Sequence, residues 1–400
     1  MLFFQQLNNK KAEDYMKLLK RILIIFMSII ILAVAGIYAI WHNEITTLSS
    51  ITTIIDQDLS HDDGYTYEMT VSGDYYFDEF LEQGGASNDD ELIQFVTDNI
   101  TKGLIPMTIK PKDIACSSFT AWTQDNQFVF GRNYDFSQTN TAIVHTNPKG
   151  RHASISTIDL QFLGIKEETG ITGIKDKALL LAAPYIPLDG INDAGVACGI
   201  YMTYQGEPTT PTDQNTDRPD ITSTTLLRLI LDYADNVEEA IALASKYDMH
   251  DSVGTSYHYM VADKEGNSAI LEWAGTTDDT DNDGSKREFK VTKNTQPYQV
   301  VTNFIVQPDY YPTLDEAKGY DRYQFLSDKL SPTNGIIENE QTAMDLLQGV
   351  GRRTWVVEGD QTKGTTVHSA VYNLTDLTSY WIANEHWNSP EHTFHYSLQK

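Results

Sequence analysis

The chain has 400 residues, 40% of them hydrophobic, and 29 basic against 56 acidic side chains give a formal net charge of −27. That composition fills a sizeable core. It excludes a nucleic-acid partner, because phosphate binding needs a basic face.

The N-terminus runs against the acidic trend. Lys10, Lys11, Lys17, Lys20 and Arg21 face only Glu13 and Asp14, which leaves −30 on the remainder, a solvated acidic surface. Residues 22–41 are apolar apart from Ser28 and Gly36, and twenty helical residues reach roughly 30 Å, the thickness of a bilayer core. The preceding basic cluster predicts a cytoplasmic tail over residues 1–21, with everything after Trp41 exported. Tyr38 and Trp41 suit the outer interface. Ala33-Val34-Ala35 offers a small-residue cleavage site and so a secreted alternative. The apolar run, however, exceeds the roughly 7–15 residues of a signal core, and an uncleaved cell-membrane anchor is the expectation.

Residues 42–115 read as a pro-segment or N-terminal cap. Ser87, Asp90, Leu92, Ile93, Phe95 and Val96 give a capped amphipathic helix ending near Gly103. Pro106 and Pro111 make the approach to Cys116 extended and turn-rich.

At Cys116 the pattern changes. Phe119, Ala121, Phe128 and Phe130 alternate in period two about the turn residues Gln124, Asp125 and Asn126, the signature of a hairpin. Antiparallel pairing returns the end of the second strand, with Arg132 and Asp135, to the start of the first, beside the thiol. No helical period follows Cys116, so a helix N-terminus cannot activate the sulfur. Cleavage between Ala115 and Cys116 would make the cysteine its own base, because a freed α-amine has a pKa of roughly 7.7–8.0.

Short strands follow around 142–146 and 152–157. Residues 184–204 read as a turn and an apolar strand, with the turn dipeptides Asp189-Gly190 and Asn192-Asp193 and with Cys198 as packing. Leu226, Leu227, Ile230, Leu231 and Ala234 mark one helix. Val237, Ala240, Ile241 and Ala244 mark a second, with Asn236 and Glu239 as its capping box. A hairpin over 256–262 and 268–273 carries His258, an imaginable base for a Cys–His pair that no second feature positions. In the acidic loop 278–288, Asp279, Asp281, Asp283 and Gly284 match the opening of an EF-hand. Position twelve is Lys290 where a bidentate glutamate is required, so a solvated loop is expected and no metal. A strand ends at Thr302-Asn303, Arg322 opens a helix in GYDRYQF, and a helix around 339–347 precedes a hairpin of 365–372 with 378–383. Hairpins, two helical blocks and more strands make an α+β fold.

The stretch CSSFTAWTQDNQFVFGRNYDF, residues 116–136, resembles the mature N-terminus of the linear amide C–N hydrolases. These N-terminal-nucleophile hydrolases include choloylglycine (bile salt) hydrolases and penicillin V acylases. Acid-ceramidase-like amidases and acyl-CoA:isopenicillin N acyltransferases share the Cys, Gly-Arg-Asn and Asp spacing. The resemblance runs over roughly residues 116–385. It implies a four-layer αββα sandwich over residues 116–400, with Cys116 as nucleophile, Arg132 and Asp135 orienting amine and sulfur, and Arg322 as a second site arginine. It also implies an oxyanion held by the Asn303 amide and by a backbone donor near Tyr201, with neither metal nor organic cofactor. The implied activity is hydrolysis of a small-molecule N-acyl amide outside the cytoplasm. Bile salts, penicillins, acyl-homoserine lactones and lipid amides all remain open. Two alternatives stand beside it: an acyltransferase whose acyl-enzyme is resolved by an amine, and a non-catalytic, membrane-tethered binding protein on the same fold.

Overall fold

The apolar run at 22–41 lies inside one long helix, α1 (Leu2–Ser50), whose side chains from residue 13 to 40 are exposed. In the computed structural model, which describes residues 2–103, 115–206, 209–275, 283–313, 317–353 and 364–399, the segment Glu13–Ser50 is long and apolar enough to cross a membrane. The helix leaves helical geometry once, at Trp41 (φ −113°, ψ 16°). Its last turns dock on the body. Thr47 Oγ1 accepts from the Ser72 amide at 2.9 Å, Ser50 Oγ donates to Thr70 O at 3.0 Å, and Lys102 reaches Glu44 at 2.8 Å while lying 4.0 Å over the Trp41 ring.

The following elements are β1 (Thr52–Ile55), β2 (Thr66–Val71), α2 (Phe77–Glu82), α3 (Asp89–Asn99), β3 (Ala115–Thr123), β4 (Phe128–Phe136), β5 (Thr141–Thr146) and β6 (Ser154–Asp159). Then come α4 (Ile174–Leu179), β7 (Asp189–Asn192), β8 (Val196–Thr203), β9 (Asp220–Thr222), α5 (Ser223–Tyr233), α6 (Val237–Ala244), β10 (Asp248–His250), β11 (Ser256–Asp263) and β12 (Ser268–Ala274). The chain finishes with β13 (Glu288–Lys293), β14 (Val300–Val301), α7 (Tyr320–Leu330), β15 (Ile336–Ile337), α8 (Glu340–Gly349), β16 (Thr365–Asn373), β17 (Thr378–Ala383) and β18 (Thr393–Ser397).

Two large sheets result. One runs β1-β2-β5-β6-β7-β8-β11-β12-β13, and the other β14-β3-β4-β16-β17-β18 with β15 pairing β3. Helices α5 and α6 pack on the first sheet, while α7 and α8 pack on the second. The sheets meet face to face where Tyr201 of β8 bonds Ser118 of β3 and Arg132 of β4 bonds Ile200 of β8. The layers are therefore helix, sheet, sheet, helix.

This layering explains why the central strands lack clean polar alternation: all nine residues of β4 and all eight of β8 are buried, because each strand has a layer on both faces. Phe119, Ala121 and Val129 of one face join Leu326, Leu330, Ala343, Met344 and Leu347 of α7 and α8 in a separate apolar core. Fully burying one such leucine contributes about 1.5–3 kcal/mol. The other face of β3 and β4 looks into the space between the sheets.

Of the segment expected as a pro-segment or cap, residues 42–115, the part over residues 42–103 is woven into the body. Strand β2 pairs β5 in parallel, and Phe80 packs on Phe95 and Tyr185 at ring separations of 5.2 and 5.7 Å. Tyr75 donates to the buried Asp232 carboxylate at 2.6 Å. Ala115 and Cys116 both lie in β3. The cap of α3 is Asn88, one residue beyond the expected Ser87, with Oδ1 accepting from the Glu91 amide at 2.9 Å, and the helix stops at Asn99. At α6 the expected box is displaced similarly: Glu239 accepts from the Asp235 amide, while Asn236 accepts from the Glu239 amide. Asp279 and Asp281 of the acidic loop lie outside the described residues.

Candidate active site

Strands β3 and β4 form the expected hairpin, with Asn126 at φ 58° in the turn. The register pairs Ala115 with Asp135, Cys116 with Tyr134 and Ser118 with Arg132. Side chains alternate along a strand, so Arg132 and Asp135, three residues apart, leave β4 on opposite faces. The start of β3 is consequently approached from both sides.

On the inter-sheet side stands Arg132, fully buried. Its Nη2 donates to Ile200 O at 2.8 Å, its Nε lies 3.3 Å from Asp189 Oδ2, and its guanidinium sits 4.3 Å from the centre of the Tyr201 ring. Among the described residues Nη1 has no hydrogen-bond partner. Burial pushes the Cys116 thiol up to about 11, against the nearby Arg132 charge, which pulls it down. In the intact chain the sulfur is therefore a neutral thiol at physiological pH.

Asp189 was read as half of a turn dipeptide and is instead the first residue of β7 and Arg132's buried partner. Its carboxylate accepts from His368 Nε2 at 2.9 Å and from the Tyr372 hydroxyl at 2.6 Å. Burial alone would raise it, but His368 and Arg132 overcome that penalty and hold its pKa down to about 2.

On the other side Arg322, the third residue of α7, gathers the remaining groups. Its Nη1 donates to Asp135 Oδ2 at 2.8 Å and to the Cys116 carbonyl at 3.1 Å, and its Nη2 donates to Asn303 Oδ1 at 2.9 Å. Asp135 is completed by the Thr366 hydroxyl at 2.7 Å; burial pushes its carboxyl above the ordinary value, with Arg322 pulling against it. Asn303 Oδ1 also accepts from the Cys116 backbone nitrogen at 3.0 Å.

All six residues expected from the sequence, Cys116, Arg132, Asp135, Tyr201, Asn303 and Arg322, thus meet in one buried constellation. Two of them also make contacts not expected from the sequence. The Asn303 amide nitrogen, expected to face an oxyanion, donates to Met202 O at 2.9 Å, and it is the side-chain oxygen that meets Cys116. Once β14 ends at Val301, the chain lays Asn303 along β8, whose carbonyl captures the amide. Tyr201 enters by its side chain: its hydroxyl donates to Ser118 Oγ at 2.5 Å and its ring supports Arg132. His258 is no partner for the thiol, since Nδ1 is engaged by Glu272 at 2.9 Å and Nε2 by Thr302 O at 2.8 Å. Cys116 and Cys198 are both free. Among the described residues no group of three or more His, Cys, Asp or Glu side chains could hold a metal ion.

Sequence reading missed Asp189, Thr366 and Glu272. An Asp-Gly step reads as a turn whether its carboxylate is solvated or buried, so only three-dimensional pairing could expose Asp189.

The sequence model of the acyl-coenzyme A:6-aminopenicillanic acid acyl-transferase family matches residues 185–387, just over half of the chain, and the chain belongs to that family. Among solved structures the protein is similar to a conjugated bile acid hydrolase from Clostridium perfringens (14% identity, TM-score 0.48, covering 71% of this chain and 92% of that one). It is also similar to penicillin V acylase from Agrobacterium tumefaciens (17%, 0.48, 71% and 87%). A third is the Caenorhabditis elegans ortholog of N-acylethanolamine-hydrolyzing acid amidase (16%, 0.39, 65% and 93%). No curated protein matches the chain.

Proposed function

We propose that the protein is a membrane-anchored cysteine amidohydrolase that cleaves a linear N-acyl amide through an acyl-enzyme on Cys116, after its own cleavage between Ala115 and Cys116. The observation that carries this reading is the contact of the Cys116 nitrogen with Asn303 Oδ1, with Arg322 tying both to Asp135. A free amine at that nitrogen keeps the Asn303 contact and sits beside its own sulfur.

In the intact chain the thiol adds to the Ala115 carbonyl, the acyl group shifts from nitrogen to sulfur and frees the Cys116 amine, and water hydrolyses the resulting thioester, releasing the Ala115 carboxylate and the Cys116 thiol. In turnover that amine takes the thiol proton and the thiolate attacks the substrate carbonyl. The protonated amine then gives its proton to the leaving nitrogen as the C–N bond breaks, and water clears the acyl group with the amine again as base. Arg132 favours the thiolate by charge, and Asp135 and Arg322 hold the amine end. The oxyanion is assigned to the backbone beside Tyr201 and to Asn303, whose NH2 carries a second N–H beside the one given to Met202 O.

Phe304 follows Asn303, with the half-buried Tyr311, Tyr320 and Tyr323 at ring separations of 6.5, 5.7 and 5.2 Å. This aromatic wall supports an apolar acyl group. The basic tail before residues 22–41 supports a cytoplasmic N-terminus and an extracytoplasmic catalytic body.

N-terminal sequencing and intact mass of the purified wild type beside Cys116→Ala test the reading. Wild type should yield a new chain beginning at Cys116, and the variant should stay whole. An intact wild type that still releases amines from N-acyl amides would overturn the self-cleavage, and a cleaved one inert towards alkyl and aryl amides would overturn the activity. The family's description favours a second outcome of the same acyl-enzyme, transfer to an acceptor amine. Product analysis with and without an added amine separates the two.

A further inference from the structure

The loop that carries Asn303 is gripped from behind by two fully buried side chains that the proposed chemistry does not use. His258 and Glu272 are cross-strand partners in the β11–β12 register, both with no exposed surface. The imidazole places Nδ1 2.9 Å from Glu272 Oε1 and Nε2 2.8 Å from Thr302 O, on the residue just before Asn303. Glu272 takes hold of the far end of the same segment. Its Oε1 accepts from the Val306 amide at 2.9 Å and its Oε2 from Gln307 Nε2 at 2.8 Å. Residues 302–307 lie outside any strand, so this pair supplies the anchorage that a ladder would otherwise give. Tyr201, edge-on to the imidazole at 5.6 Å, leaves the ring little room to turn.

Donor and acceptor counting fixes the protons. A carbonyl only accepts, so Nε2 carries a hydrogen towards Thr302. Both carboxylate oxygens of Glu272 already accept N–H groups, and the short contact between Oε1 and Nδ1 closes only with one proton between them. We infer that His258 and Glu272, sharing that proton, are the positioning pair that sets the Asn303 side chain against the Cys116 nitrogen. The Thr302 hydroxyl extends the grip by donating to Gly319 O at 3.0 Å, at the entry to α7 and Arg322. One buried pair therefore registers both groups that touch the Cys116 backbone. The inference rests on reading Cys116 as the nucleophile, but its geometric part can be measured without turnover.

The test uses the full chain in detergent as wild type, His258→Ala, His258→Gln, Glu272→Gln and, as a packing control on the opposite face of β11, Val261→Ala. Crystal structures and steady-state amide hydrolysis are read together. In His258→Ala the Cys116 N to Asn303 Oδ1 separation should open beyond hydrogen-bond reach from 3.0 Å. Its kcat should fall by roughly 10²-fold, the cost of about 1 Å of misplacement, with KM within about threefold. His258→Gln returns a donor to Thr302 O and should recover about a tenth or more of the wild-type kcat. Val261→Ala should lower Tm and leave both the separation and kcat in place. An unchanged Cys116–Asn303 contact in His258→Ala overturns the inference, as does the same loss of kcat in Val261→Ala. If His258→Ala does not fold, His258→Gln and Glu272→Gln decide: both keeping wild-type kcat and wild-type geometry overturn it. A wild type without amidase turnover would sink the proposed function alone, and the measured separations would still decide the positioning.

Discussion

Asp189→Asn removes the carboxylate that receives Arg132, His368 and Tyr372 between the sheets. In the folded chain this carboxyl is held at about 2 rather than 3.8, because His368 and Arg132 outweigh the burial penalty. A carboxyl depressed by folding contributes stability that is present above its unfolded value and lost as pH falls through its folded value. Each pKa unit corresponds to about 1.4 kcal/mol, so the charge-dependent part is about 2 kcal/mol, complete above about pH 5 and lost between about pH 4 and pH 2. Asparagine does not titrate. The gap in unfolding free energy between wild type and Asp189→Asn should therefore narrow by about 2 kcal/mol between pH 6 and pH 2. Urea unfolding followed by tryptophan fluorescence, repeated at each pH, measures it. A gap independent of pH would refute the reasoning, because it would mean that the loss comes from packing rather than from the buried charge.

Arg322→Lys keeps the positive charge but cannot reach Asp135, Asn303 and the Cys116 carbonyl together. Appearance of the Cys116 N-terminus should slow by roughly 10²-fold, and an unchanged rate by time-resolved N-terminal sequencing would contradict the shared anchorage. Burial raises the intact-chain Cys116 thiol from 9.0 to about 11, so its protonated form favours the fold below pH 9 and that contribution is lost as pH rises through 11. Iodoacetamide labelling of the intact chain at pH 8, read by mass spectrometry, should be far slower than in urea; equal rates would show the sulfur to be accessible. At Gly199 an added Cβ would meet Tyr201 Oη at 2.9 Å and Arg132 Nε at 3.6 Å. Gly199→Ala should thus cost about 1–3 kcal/mol by calorimetry, and a neutral substitution would show that Tyr201 has room to move.

Period-two patterning made the β3–β4 hairpin and its cysteine legible, because local alternation and turn chemistry survive burial. Helices α5 and α6 were legible from the helical spacing of their apolar residues. The parallel pairing of β2 with β5 was not, since nothing local in residues 52–71 records a partner seventy-odd residues away. The site divided likewise. Cys116, Arg132 and Asp135 are close in sequence, and Asn303 and Arg322 were found only through a resembling pattern. Asp189 and Glu272 stayed hidden because a buried carboxylate looks in sequence like any surface acid.

Helix α1 passes from its apolar stretch into contacts with β2 and Lys102 without an intervening coil. A domain on a slack leash samples every tilt above a bilayer, but a domain on a stiff mast presents one side of itself downward. With the proposed anchor, the height and azimuth of the aromatic wall would be set by the few residues between Ile40 and Thr47, where α1 departs from helical geometry at Trp41, and Gly-Ser insertion there would loosen the aim.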